Sequence, residues 1–243
     1  MKKLSWITGV LTCVVLLVAA LGCALNAVWQ IAIDETFYSD QSRAAVMDAM
    51  GYTTEEEVTA YIGLTPEEQK IFAQTTSAYM LGEDQSIDLP VYVSEDEVRH
   101  MIDVRGLIWR ARDWSKALLS LSVVLAIVSA WTGAKLKKRV LPRLIGGLSA
   151  VSIAALLAVG IVNQMSTGNF EALFVRMHEM LFTNDLWLMN PATDILIRIM
   201  PLPLFEQALA DAAIRAMKML VIAVGMLLAV MISVERMLRR HTK

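Results

Sequence analysis

The run LSWITGVLTCVVLLVAALGCALNAVWQIAI, residues 4–33, contains no charged side chain. A helix needs roughly 20 consecutive apolar residues to cross a bilayer, so this stretch alone directs the chain to a membrane. Three more runs qualify: residues 117–134, 144–163 and 219–234, the last with 212–218 as an amphipathic lead-in. Of 243 residues, 56% are apolar and the mean hydropathy is +0.52, above what a soluble domain carries. The expected fold is all-α: a polytopic membrane protein with four transmembrane helices and a mostly helical extracytoplasmic cap.

Basic residues orient the spans. Lys2 and Lys3 precede the first; Lys135, Lys137, Lys138, Arg139 and Arg143 fill the turn between the second and third; Arg236, Arg239, Arg240 and Lys243 follow the fourth. Cytoplasmic loops carry the excess of Lys and Arg, so both termini are expected on the cytoplasmic side of a cell membrane. Five parts follow: 1–33, the first transmembrane helix; 34–115, the cap; 116–163, helices 2 and 3 with their basic turn; 164–211, a second extracytoplasmic segment with His178; and 212–243, the fourth helix and a basic tail. Residues 34–113 hold 17 acidic and 6 basic side chains, which argues against nucleic acid as a partner. Cys13 and Cys23 both lie in the first run, about 15 Å apart if helical, and cannot pair. The stretch Ala20-Leu21-Gly22-Cys23 resembles a lipoprotein signal. The apolar run continues ten residues past Cys23, however, and Trp6 and Trp29 flank it as interfacial anchors, as in an uncleaved span.

The cap is rich in helix starts. Thr65-Pro66-Glu67-Glu68 is a capping box with proline at the first helical position, predicting a helix to about Leu81. Ser94-Glu95-Asp96-Glu97 opens a second helix, which contains His100 and is expected to continue through Trp109 and Trp114 into the second span. Residues 88–93 between them read as extended, and Gly51, Gly63 and Gly82 punctuate the rest. In the second segment Phe170, Leu173, Phe174, Met177, His178 and Leu181 recur at helical spacing, which puts His178 on an apolar face. Asn184-Asp185 breaks that helix. Asn190-Pro191 starts another with Ile195, Leu196, Ile199 and Met200, ended by Pro201 and Pro203. Helices this short and apolar are expected along the membrane surface or folded under the first segment.

The chain has three histidines, and His241 lies in the basic tail. His100 and His178 remain as candidates for proton transfer near neutral pH. A lone histidine on an apolar face is most simply a core residue bonded to a backbone carbonyl. The sharper reading of His178 is a general base in a dry pocket, with Phe174, Phe182 and Trp187 close and burial keeping the imidazole neutral. Asp96 and Asp103 lie one helical turn to either side of His100, so either carboxylate can orient its ring. Arg99–Asp103 and Arg105 read as surface ion pairs. No HExxH, Cys–His cluster, GxSxG elbow or Gly-rich phosphate loop is present in the sequence. Phe174-Val-Arg-Met-His178 matches the FxxxH piece of intramembrane CAAX-type proteases, without that family's paired glutamates. Arg215 and Lys218 enter the fourth span and read as snorkelling to lipid phosphates, or as contacts to an anionic substrate. No charge sits at mid-span, which argues against a transporter.

His100-Met101-Ile102-Asp103-Val104, and the run from His178 through Phe182, Asn184-Asp185, Trp187, Pro191, Asp194, Ile197 and Pro201 to Phe205, resemble a family of Gram-positive integral membrane proteins. Its characterised members are lipoprotein intramolecular transacylases. The specific resemblance covers roughly residues 94–115 and 170–207 and extends to the layout of the spans; the family's Phe-Phe pair is here Leu204-Phe205. The resemblance implies a substrate and a reaction. The sn-2 acyl chain of a bacterial lipoprotein's diacylglyceryl group moves to the α-amino group of the same N-terminal cysteine, giving the lyso form. It implies His100 and His178 as the catalytic pair, with Trp109, Phe182 and Trp187 lining a pocket and Asp103 and Asn184 orienting the histidines. No metal or nucleotide is required, and the partners are diacylglyceryl lipoproteins and membrane lipids. Two alternatives stay open at this point: a lipoprotein or phospholipid deacylase using the same histidines, and a non-catalytic membrane module with an acidic binding cap.

Overall fold

The computed structural model describes residues 7–83, 93–136, 145–147, 149 and 170–240. Most of the third apolar run, the basic turn at 137–143, residues 84–92 and His241 lie outside the described residues. Regular structure among the described residues is helical throughout: α1 (Ile7–Ala32), α2 (Glu35–Tyr38), α3 (Asp40–Met50), α4 (Glu55–Ile62), α5 (Pro66–Leu81), α6 (Glu95–Lys135), α7 (Phe170–Leu181), α8 (Leu196–Ile199) and α9 (Leu202–Arg240). Three of these, α1, α6 and α9, are long and apolar enough to cross a membrane. They correspond to the first, second and fourth runs read from the sequence.

The chain divides into two compact units. One comprises Met1–Ala27, Arg112–Thr167 and Ala213–Lys243. Its described core is Val15 and Ala19 of α1, Ala126 and Ala130 of α6, and Leu227 and Met231 of α9. In lipid the apolar effect does not drive helices together, so close backbone approach and buried polar contacts must. Both are present. Ala19, Ala126 and Ala130 are completely buried, and a Cβ on Gly22 would come within 2.9 Å of Leu119 Cγ. Thr12 Oγ1 bonds back to the Thr8 carbonyl at 2.9 Å and meets Ser129 Oγ at 3.1 Å.

The other unit comprises Val28–Ala111 and Gly168–Ala212. Its helices start where side chains can satisfy the free amides of a first turn. Asp34 accepts from Thr36 N at α2. Thr54 with Glu57, and Thr65 with Glu68, form capping boxes at α4 and α5. At the other end of α5, Gly82 adopts φ +93°, and a Cβ there would lie 2.7 Å from Trp109 Cζ2. Phe37, Val46, Val58, Ile62, Phe72 and Met80 form the core with Met101 of α6. Ile195, Leu196, Ile199 and Leu204 of the second segment join the same core, so this segment packs against the first.

A buried polar network runs through that core. Arg43, 7% exposed, donates to Glu55 Oε2 at 2.8 Å, Gln69 Oε1 at 3.0 Å and Thr59 Oγ1 at 2.8 Å. Gln69, fully buried, donates to the Tyr38 carbonyl and to Ser42 Oγ, both at 2.9 Å. Ser42 in turn donates to the Ile199 carbonyl. Every polar atom of the buried Gln69 amide is thereby satisfied, as an interior requires.

Two sequence expectations are corrected. Residues 190–195 form a turn, not a helix: Asn190 Oδ1 accepts from Ala192 N at 3.0 Å and Asp194 Oδ2 accepts from Asn190 N at 2.7 Å. Side chains of this type compete with the helical backbone for its amides, and only Leu196–Ile199 is helical. The helix that carries the fourth apolar run also extends further back than its amphipathic lead-in, to Leu202, so Pro201 and Pro203 precede and open it rather than end a separate helix. Pro203 is its second helical residue, where a missing amide costs nothing.

Arg43→Ala is expected to destabilise the chain by roughly 2–4 kcal/mol, because the Gln69 and Leu64 oxygens that it serves remain buried without donors. Glu55→Ala is expected to cost under about 1 kcal/mol, since Glu55 is 58% exposed and water replaces its partner. Denaturant unfolding of the detergent-solubilised protein checks the pair; equal losses would contradict the network's inward direction.

Candidate active site

His100 lies on the polar first part of α6, well before the apolar run at 117–134. The helix starts there because Ser94 and Glu97 close a reciprocal cap: Ser94 N donates to Glu97 Oε2 at 2.7 Å and Glu97 N to Ser94 Oγ at 3.3 Å. The second carboxylate oxygen of Glu97 accepts from Leu196 N at 2.7 Å. Glu97 is 2% exposed and sits one turn before His100. It therefore ties the start of α6 to the start of α8.

His178 lies near the end of α7, with only its side of the helix buried. The apolar face is narrower than the periodicity suggests: His178 is buried, whereas Met177, Leu181 and above all Met180, at 85%, are exposed. The His178 ring lies 4.2 Å from Phe174, 5.5 Å from Phe182 and 5.1 Å from Trp187 between centroids. His100 approaches from the other side, 5.0 Å from Phe182. The two imidazoles are stacked with centroids 6.1 Å apart. Phe205 closes the cluster 4.9 Å from Phe174 and continues to Phe37. Leu204, which stands where the resembled family has a phenylalanine, is in the core beneath.

The protonation of these rings follows from their surroundings. His178 Nδ1 is 2.8 Å from the Phe174 carbonyl oxygen. A carbonyl only accepts, so Nδ1 carries the hydrogen and Nε2 keeps its lone pair. Burial lowers the His178 pKa below its ordinary value, and the bond to Phe174 partly opposes that shift. Burial also drives the His100 pKa down to about 4, helped by the neighbouring His178 and opposed by Asp103. Both rings are neutral at pH 7, the form that accepts a proton or donates an N–H hydrogen bond without carrying charge. His100 Nδ1 is buried with no hydrogen-bond partner among the described residues.

The other candidates divide. Phe174, Phe182 and Trp187 surround the imidazoles. Asp103 does not hydrogen-bond to His100; its Oδ2 accepts from Asn184 Nδ2 at 2.9 Å, which fixes the loop bearing Phe182 and Trp187 to α6. Asp96 is exposed and faces Arg99, which pairs with Glu95 and Asp96 rather than with Asp103. Trp109 is engaged elsewhere, donating from Nε1 to the Met80 carbonyl at 2.8 Å. The Arg105 guanidinium lies over two rings, 4.0 Å from the Tyr79 centre and 4.4 Å from that of Trp109. Sequence reasoning assigned Glu97 only a capping role and passed over Phe37. The capping box announces one oxygen of Glu97, but nothing in the sequence announces the bond to Leu196.

Residues 6–205 match the family model for the lipoprotein intramolecular transacylase Lit. The comparison with curated proteins finds no match. Among solved structures the fold is similar to the membrane-integral lipoprotein intramolecular transacylase Lit from Bacillus cereus, with a TM-score of 0.65, 19% identity and 97% of each chain covered. A variant of that protein with one histidine replaced by alanine gives a TM-score of 0.64 and 17% identity over 99% of this chain and 97% of that one. The long apolar helices agree with a multi-pass membrane protein. With most of its length under that family model, the chain belongs to the lipoprotein intramolecular transacylase family, whose enzymes are acyltransferases of the membrane.

Proposed function

We propose that the chain transfers the sn-2 acyl chain of a lipoprotein's diacylglyceryl group to the α-amino group of the same N-terminal cysteine. His178 is the base and His100 the oxyanion donor. The observation that carries the assignment is the bond from His178 Nδ1 to the Phe174 carbonyl, which commits Nε2 to accepting a proton. The neutral amine attacks the ester carbon, a C–N bond forms, and His178 Nε2 takes the proton that the nitrogen must lose. The carbonyl bond at Nδ1 stabilises the resulting imidazolium. Collapse breaks the bond to the glyceryl oxygen, which receives that same proton from His178. His100, too hard to protonate to serve as a cationic acid, donates an N–H hydrogen bond to the oxyanion formed in between. One proton moves from nitrogen to oxygen, and no water is consumed.

Attack closes a medium ring through the acyl carbon, ester oxygen, two glyceryl carbons, sulfur, Cβ, Cα and nitrogen. Holding the two ends together is therefore a large part of catalysis. Phe174, Phe182 and Trp187 wall the space around the imidazoles, and the Asp103–Asn184 bond fixes that wall. The charge pattern supports a site on the outer membrane surface with both termini cytoplasmic.

Mass spectrometry of a lipoprotein N-terminal peptide, from a host that makes only diacylglyceryl lipoproteins, tests the reaction. Expression of the chain is expected to give an N-acyl, mono-acylglyceryl peptide of unchanged mass. His178→Ala is expected to slow conversion roughly 10²–10⁴-fold, and His100→Ala roughly 10²–10³-fold. Loss of one acyl mass would make the chain a deacylase instead.

Nitrogen-15 NMR of the two imidazoles tests the proton assignment. At pH 7.5 both rings are expected neutral, with His178 in the Nδ1–H tautomer and His100 protonating only near pH 4. An imidazolium at pH 7.5, or an Nε2–H tautomer at His178, would reverse the roles. Since folding lowers the His100 pKa from 6.5 to about 4, the unfolded chain binds the proton first as pH falls. Stability is expected to decline between those two values and to lose this dependence below them.

A further inference from the structure

The spanning unit contains a feature that the histidine chemistry does not use. A groove of about 370 Å³ runs between α1, α6 and α9, lined by Cys23, by Leu119 and Val123, and by residues from Met219 to Val230 along α9. Its walls are almost entirely apolar. Val123, Ile222 and Met226 are 42%, 62% and 61% exposed, so the groove opens outward from the bundle. Residues 145–147 of the third apolar run meet α1 elsewhere, through Gly147 against Leu16 and Thr12. Met219 to Val230 covers about 16 Å of helix, close to half of the ~30 Å hydrocarbon core. The groove is one leaflet deep.

Its end is marked by charge. Lys218 lies one turn before Ile222 on α9, and Lys116 three residues before Leu119 on α6, so each stands over a wall residue on its own helix. Both lysines are exposed. Neither makes an ion pair among the described residues. An apolar helix seated in a groove one leaflet deep leaves the two ammonium groups at its mouth unpaired unless it also brings a carboxylate there. They suit a phosphate joined to an acyl chain.

We propose that this groove seats one acyl chain of an anionic phospholipid, with Lys116 and Lys218 holding the phosphate. The seat is independent of the histidine chemistry, and its test reads lipid binding rather than transacylation. Delipidated full-length protein is titrated in detergent with phosphatidylglycerol or with diacylglycerol of the same chains, and bound lipid is counted by native mass spectrometry. The K116S/K218S double variant is expected to bind phosphatidylglycerol about thirtyfold more weakly, at about fivefold from each of two surface lysines, with diacylglycerol unchanged. Ile222→Trp, an exposed position that tolerates bulk, is expected to weaken both lipids by narrowing the groove. Phosphatidylglycerol binding that survives the double variant would overturn the phosphate assignment. Loss on the double variant without any effect of Ile222→Trp would reduce the site to a surface charge patch and overturn the groove. A dimer that dissociates on Ile222→Trp, with no lipid retained by the wild type, would give the groove to a second copy of the chain.

Discussion

The carboxylate of Glu97 is the joint on which the candidate site depends. It is buried, and its two oxygens accept amide hydrogens from parts of the chain just over a hundred residues apart, Ser94 and Leu196. A buried carboxylate without such donors would be costly, so each bond enforces the other. The result fixes where α6 begins, and therefore where His100 stands, relative to the segment that follows the His178 loop. The apolar packing of Leu196, Ile199 and Leu204 supplies the bulk of the burial. It is non-directional, however, and cannot by itself choose between neighbouring registers of α6.

Around that joint the electrostatics are simple. The imidazoles are surrounded by aromatic rings, and Asp103, one turn after His100, is already bonded to Asn184. Burial therefore dominates both pKa shifts, and both histidines lean to the neutral form. Two stacked imidazoles would repel one another if both were charged, so the geometry tolerates one proton at a time. A transacylation that moves a single proton from nitrogen to oxygen asks for no more.

Much of this was legible in the sequence, for reasons that differ between regions. The spans depend on length and apolarity alone, and α1, α6 and α9 lie where those put them. The starts of α5 and α6 were readable because a capping box is local chemistry; the same logic at Thr54-Glu55-Glu56-Glu57 would have given α4. The burial of His178 followed from helical spacing. Glu97 to Leu196, Ser42 to Ile199 and Phe37 to Phe205 were not readable, because each joins residues far apart in sequence and no local pattern encodes the partner. The turn at Asn190–Asp194 was misread as a helix for a related reason: proline after asparagine suits both, and the side-chain bonds that decide between them are geometric.

The wall of the site is held quite differently from its floor. Glu97, Arg43 and Gln69 are buried and multiply bonded, whereas among the described residues the loop carrying Phe182 and Trp187 meets α6 through the packing of Phe182 on His100 and the exposed hydrogen bond from Asn184 to Asp103. Exposed bonds of this kind compete with water and contribute little net free energy. Within this unit the rungs of local unfolding are therefore uneven, and the loop sits on a lower one than the Glu97 joint. Its amides are set to exchange with solvent by small excursions while those of the Glu97 joint wait for a much larger opening, so the aromatic wall yields before the joint that positions His100 does.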